Sequence, residues 1–91
     1  MPAETVPAGW RPALARSIVL RYDRIRETDL LLMPERAVRL SGEAGRILRL
    51  CDGRRTAEQI VAELAEAFPG AAVAEDVPEF LARVRAEGWV L

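Results

Sequence analysis

The run from Leu30 to Asp52, LLLMPERAVRLSGEAGRILRLCD, decides the fold. Leu30 to Met33 reads as a strand, Pro34-Glu35 as a turn, and Arg36 to Leu40 as a second strand. A helix then opens at Ser41 and stops at Cys51-Asp52-Gly53. Four consecutive apolar residues fit neither the strand period nor the helix period, so Leu30 to Met33 is expected to be buried on both faces. Proline holds φ near −65° and cannot enter the type I′ turn of a two-residue hairpin. A type I turn with a bulge is therefore expected, and the register of Arg36 to Leu40 stays open by one residue. In one register Val38 and Leu40 point inward and Ala37 and Arg39 point out. Ser41 is a natural N-cap, and Glu43 suits the positive end of the helix dipole. Ala44, Ile47, Leu48 and Cys51 recur at i, i+3, i+4 and i+7, which gives the helix one core face. Gly53 is expected to end it as a left-handed cap.

Upstream, Ile18, Leu20 and Tyr22 alternate with Ser17, Val19 and Arg21, the pattern of a half-buried strand. Asp23 to Thr28 is charged and turn-like. Met1 to Pro12 has three prolines and no apolar period, so residues 1–12 are expected to form a flexible arm ahead of a domain over 13–91. Trp10 either pins that arm to the domain or is presented to a partner.

Downstream, Thr56 and Gln59 form a capping box for a second helix with Ile60, Leu64 and Phe68 on one face, and Pro69-Gly70 breaks it. Val77, Phe80, Leu81 and Val84 predict a third helix, with Asp76 as N-cap and Pro78 in the first turn, or a start near Ala74. Trp89-Val90-Leu91 must pack back on the domain. Three antiparallel strands followed by three short helices describe an α+β, winged-helix-like domain.

Ninety-one residues support one small core. No window approaches the roughly 18 apolar residues of a membrane span, and Met1 to Gly9 lacks the pattern of a signal peptide, so the chain is expected to stay in the cytoplasm. The single cysteine, Cys51, permits no internal disulfide, and there is no histidine. That removes histidine-based triads and imidazole metal ligands, and a lone Cys51 reads as a small core hydrophobe. No phosphate-binding glycine loop, no paired-cysteine motif and no metalloprotease spacing occurs, so neither an enzyme nor a cofactor is expected.

All thirteen basic residues are arginines. Through Arg55, eleven arginines face seven acids, a balance of +4; from Thr56 on, two face seven, a balance of −5. Winged-helix domains commonly bind DNA through a basic helix, but the second helix here carries Glu58, Glu63 and Glu66 and no arginine. A nucleic-acid regulator would have to use Arg21, Arg24, Arg26, Arg36 and Arg39 on the sheet side. The other use of a strand edge is peptide binding, in which an extended segment adds as a strand and alternate side chains fill pockets. Arg36 to Leu40 is the candidate edge and the third helix the candidate wall.

Leu32-Met33-Pro34-Glu35-Arg36, Leu40-Ser41, Ile47-Leu48 and Leu50-Cys51-Asp52-Gly53, followed by Thr56, Ile60 and Leu64, resemble the PqqD family. These are peptide chaperones of pyrroloquinoline quinone biosynthesis and RiPP precursor recognition elements. The resemblance runs from about Pro12 to Leu91. It implies binding of the PqqA precursor peptide along the third strand, in a groove closed by the C-terminal helix. It also implies presentation to the radical SAM enzyme PqqE, which cross-links a glutamate and a tyrosine of the precursor. On that basis the peptide-binding residues are expected to be Arg36, Ala37, Val38, Arg39 and Leu40 on the strand, with Asp76, Phe80, Arg83 and Val84 on the helix. Another modified-peptide pathway would fit the same scaffold, and an unfilled edge makes a homodimer an alternative in the absence of peptide.

Overall fold

A computed structural model describes residues 7–91; residues 1–6 of the arm expected over 1–12 lie outside them. Three strands, β1 (Val19–Asp23), β2 (Thr28–Leu32) and β3 (Ala37–Leu40), are followed by three helices, α1 (Gly42–Arg49), α2 (Ala57–Ala67) and α3 (Val73–Ala86). The sheet is antiparallel in the order β1-β2-β3, so β2 is central and both β1 and β3 have a free edge. This is the expected α+β, winged-helix-like architecture.

Register follows from side-chain alternation. β2 sets Leu31 opposite Leu20 and Val38, and Asp29 opposite Tyr22 and Leu40. Leu31 is fully buried and joins Leu40, Ile47, Leu48, Ile60, Leu64, Val77, Leu81 and Val90 in one core under the helices. Leu30 and Leu32 take no part in that core and are half-buried on the other face of the sheet. The expectation that Leu30 to Met33 is buried on both faces is thus corrected. Alternation sends Leu31 and Met33 inward, and among the described residues no helix packs over the outer face to bury the remaining two.

The β1–β2 connection is a four-residue loop in which Asp23 Oδ1 accepts hydrogen bonds from the backbone N–H groups of Ile25 (2.9 Å) and Arg26 (3.2 Å). Glu27 there takes φ +52°, the left-handed conformation that closes the loop. The β2–β3 connection departs from expectation. Leu32 pairs with Ala37 and the Met33 N–H donates to the Arg36 carbonyl at 2.8 Å, so Pro34-Glu35 spans the turn with no bulge. Neither residue adopts positive φ. Proline forbids the tight primed turn, and the ladder holds the register across an open one.

α1 is capped by Ser41, whose Oγ accepts from the Ala44 N–H at 3.1 Å. It ends at Arg49 with Leu50 as C-cap, earlier than the expected stop. Gly53 does take positive φ, +78°, but within a later turn set by Asp52, whose Oδ1 accepts from the N–H groups of Arg54 (2.9 Å) and Arg55 (3.1 Å). The Gly53 N–H is committed to the Pro12 carbonyl at 2.9 Å. α2 has the expected capping box between Thr56 and Gln59.

α3 begins at Val73, before both expected starts; Asp76 lies inside it and caps nothing. Its N-cap, Ala72, makes no side-chain bond. Starting at Asp76 would leave Val73 outside the core. Burying one valine is worth roughly 1.5–3 kcal/mol, against about 1 kcal/mol for a good cap, so burial wins. Pro78 forgoes the bond to the Ala74 carbonyl, and exposed Ala74 leaves that group to water.

Packing of the N-terminal segment starts ahead of the expected boundary at residue 13. Trp10 pins it: Nε1 donates to the Leu91 carbonyl (2.9 Å), and the Trp10 carbonyl accepts the Ala57 N–H at the start of α2 (2.8 Å). Ala13 to Ala15 then pairs with Trp89 to Leu91, which brings the apolar C-terminus home with Val90 fully buried.

Sheet and helices are registered by one contact. Asp29, 6% exposed, lies on the inner face against Gly45 of α1 and is ion-paired with Arg49 one turn later. A Cβ at Gly45 would press on Asp29 Oδ2 and stand 2.7 Å from its Cγ. Gly45→Ala is expected to lower stability by about 1–3 kcal/mol through overpacking. Gly42→Ala, on the same helix with open space around it, is expected to be neutral or stabilising. Urea denaturation of the two variants checks both.

Candidate functional site: a strand edge and an interhelical groove

The free edge of β3 is defined by hydrogen-bond alternation. In an antiparallel pair, bonded and non-bonded residue pairs alternate. Met33 and Arg36 form a bonded pair, so Leu31 with Val38 and Asp29 with Leu40 are also bonded, while Leu32 with Ala37 and Leu30 with Arg39 are not. The N–H and C=O groups of Ala37 and Arg39 therefore point away from β2, unpaired among the described residues. The open register is resolved: these two residues carry the free donors and acceptors, and Val38 does not.

Beyond the end of β3, where Ser41 starts α1, lies a groove of about 380 Å³. Ala44 and Ile47 of α1 form one side and Val73, Val77 and Phe80 of α3 the other, over Leu64 of α2 and Phe68 at its C-cap. Its charged rim comprises Glu43, Arg46, Asp76, Glu79 and Arg83. Both arginines lie over aromatic rings: the Arg46 guanidinium is 4.6 Å from the centre of Phe68, and that of Arg83 is 5.9 Å from the centre of Phe80. Such stacking holds a long side chain in place while its N–H donors stay available.

The nine expected site residues divide into three sets. Ala37 and Arg39 present the free backbone edge, with exposed Arg36 in the turn before them. Asp76, Phe80 and Arg83 line the groove. Val38 is half-buried on the inner face and Leu40 is in the core. Val84 is 2% exposed and packed in the core, so the expectation that it offers contact surface is corrected; it supports α3 from beneath. On the side of the groove away from α3, sequence reasoning missed Ala44, Arg46, Ile47 and Phe68. Phe68 carried a usable signal, an aromatic residue at a helix end beside Pro69-Gly70, but the pairing of α1 with α3 across a cavity had none.

Cys51 is buried and its thiol is pushed up to about 12, first by burial and then by the neighbouring Asp52 charge. Its Sγ donates to the Ile47 carbonyl at 3.4 Å. Asp52 is held below the ordinary carboxylate value by the N–H groups of Arg54 and Arg55 and by the Arg55 guanidinium at 2.7 Å. Among the described residues no group of three or more acidic, cysteine or histidine side chains could hold a metal ion, and no helix is long and apolar enough to cross a membrane.

Sheet, helix order, edge and groove together define a winged-helix-like α+β domain with a strand edge beside an interhelical groove. The profile of Coenzyme PQQ synthesis protein D (PqqD) matches residues 30–90. A PqqA binding protein of Pseudomonas entomophila is 38% identical over 88 residues, covering 96% of this chain and 91% of the relative. One from Rahnella aquatilis is 33% identical over 87 residues, covering 94% and 92%. The solution NMR structure of the PqqD truncation of Methylobacterium extorquens PqqCD, described as a functional and stand-alone RiPP recognition element, superposes with a TM-score of 0.74. It is 31% identical, and the match covers 96% of both chains. The chain belongs to the PqqD family.

A buried thiol with a raised pKa is a poor nucleophile. Cys51 is expected to resist iodoacetamide at pH 8 in the folded protein and to react on unfolding, as mass spectrometry would show. The same shift has a sign for stability. Above about pH 9 the unfolded thiol ionises and the folded one does not, so this group's contribution is complete below that pH and declines as pH rises toward about 12.

Proposed function

We propose that this chain is a non-catalytic chaperone of pyrroloquinoline quinone biosynthesis. It binds the PqqA precursor peptide as a fourth strand on the free edge of β3 and presents it to the radical SAM enzyme PqqE. The observation that carries the reading is the outward-pointing backbone of Ala37 and Arg39, within a chain whose relatives are named PqqA binding proteins. Backbone pairing supplies an affinity that tolerates many side chains. Peptide side chains beyond the edge reach the groove at Ser41, where Phe80 offers apolar contact and Arg83 can pair with a carboxylate.

Titration with the precursor is expected to shift the NMR amide signals of Ala37, Arg39 and the groove face of α3. If those signals stay put at saturating peptide, strand addition at this site is excluded. Ala37→Pro deletes one free edge N–H and leaves the β2–β3 ladder intact, so peptide affinity should fall by about 1 kcal/mol or more with little change in the thermal transition. Val38→Pro instead removes a ladder bond and should unfold the sheet. Arg83→Ala should weaken peptide binding in a chain as stable as the parent.

A further inference from the structure

The α1 wall of the groove carries a charge that strand addition alone does not use. Arg46 lies on α1 and Arg83 on α3, on opposite sides of one cavity. Each guanidinium lies over a ring of that cavity, Arg46 at 4.6 Å from the centre of Phe68 and Arg83 at 5.9 Å from the centre of Phe80. Both have an acid at helix-pairing spacing, Glu43 three residues before Arg46 and Glu79 four before Arg83. Among the described residues neither arginine takes part in an ion pair with these or any other acids. Ring stacking has taken the place of that pairing, so each side chain is held while its N–H donors stay open. The apolar part of the lining includes buried Ile47, Leu64, Val73 and Val77, while Phe68, though aromatic, remains 38% exposed.

We infer that Arg46 is a specificity-determining residue of this groove: together with Arg83 it takes carboxylates of the bound peptide, so the groove selects a segment with an apolar side chain between acidic ones. This deepens the chaperone reading above and rests on it. Three observations select the occupant. The two arginines stand on different walls, so a segment lying between them meets a guanidinium on each side. The lining between the walls is apolar, and the open ring surface of Phe68 adds to it, which suits an apolar side chain at the centre of the segment. The rim also carries Glu43, Asp76 and Glu79, three acids against two arginines, but these are exposed and among the described residues none of them is in an ion pair. A group already held by stacking loses less freedom on binding than one that is not, so the arginines are the better anchors. The three acids then repel a carboxylate that misses its guanidinium, and the pattern is read by position as well as by sign.

The test is calorimetry of the PqqA precursor against the parent chain, Arg46→Gln, Arg46→Lys and Arg54→Gln, repeated with precursors in which each aspartate or glutamate is replaced in turn by its amide. Arg46→Gln is expected to weaken precursor binding about fivefold or more, with the thermal transition close to the parent's. Arg46→Lys keeps the charge without the planar stack and should fall between the two. Exposed Arg54 lies outside the groove, and Arg54→Gln should bind as the parent does. One amide replacement in the precursor should weaken binding to the parent and make no further difference to Arg46→Gln, a coupling that a merely structural role of Arg46 would not produce. Affinity should also fall with added salt more steeply for the parent than for Arg46→Gln. If Arg46→Gln binds the precursor as tightly as the parent while Ala37→Pro weakens it, the selection of an acidic segment is wrong and strand addition stands. The same holds if no amide replacement couples to Arg46. If Glu43→Gln weakens binding and Arg46→Gln strengthens it, the groove takes a basic side chain and the proposal is overturned. If the parent does not bind the precursor at all, the chaperone reading itself falls, and this inference with it.

Discussion

The contact between Asp29 and Gly45 sets how the two layers of this domain meet. A carboxylate on the inner face of the central strand needs a partner or it is costly to bury. Arg49 supplies the charge, and Gly45 supplies the space for the carboxylate to lie against the α1 backbone. The pair fixes the rotation of α1 about its axis, because Gly45 and Arg49 are one turn apart on one face. With α1 so turned, Ile47 and Leu48 reach Leu31 and the core closes. An apolar residue at position 29 would bury as readily, but it would not specify which turn of the helix it meets.

From that registration follows the division of the sheet into a covered inner face and an outer face. α1 covers the inner face, so the outer face keeps Leu30 and Leu32 without a covering helix. The open turn at Pro34-Glu35 holds the β3 register without a bulge, and the backbone of Ala37 and Arg39 is thereby the free edge. A bulge would have moved the free donors by one residue and turned different side chains onto the outer face. The free backbone groups of β3 and its outward side chains point in perpendicular directions.

The groove depends on the early start of α3. Extending the helix back to Val73 carries Asp76 and Phe80 along the cavity and brings the start of α3 opposite Ala44 and Ile47 of α1. A start at Asp76 would have shortened that side by a turn. The helix forgoes a cap and accommodates Pro78 within it, and the gain is core burial of Val73. The polarity of charge along the chain is also placed by the fold. Arg21, Arg24, Arg26, Arg36 and Arg39 lie exposed on the sheet and its turns, and the acids within α2 and α3 are exposed.

The sequence by itself determined the order of elements, the apolar face of each helix, the capping box at Thr56 and the burial of Cys51. These are local or periodic features, set by propensity, capping and the spacing of apolar residues within one element. It also carried, in Leu32 to Arg36 and Leu50 to Gly53, the resemblance to the family. Tertiary structure decided what no single element encodes. It decided which face of Leu30 to Met33 is covered, since that depends on where α1 packs. It chose between Ala37 and Val38 for the free edge, since alternation is counted from the bonded pair at the turn. It moved the start of α3 to Val73 and put Val84 out of reach of a ligand, since burial of an apolar side chain outweighs a cap and draws it into the core. The cavity between α1 and α3 belongs wholly to this second class. A groove is a relation between elements distant in the chain, and its lining has no period to read.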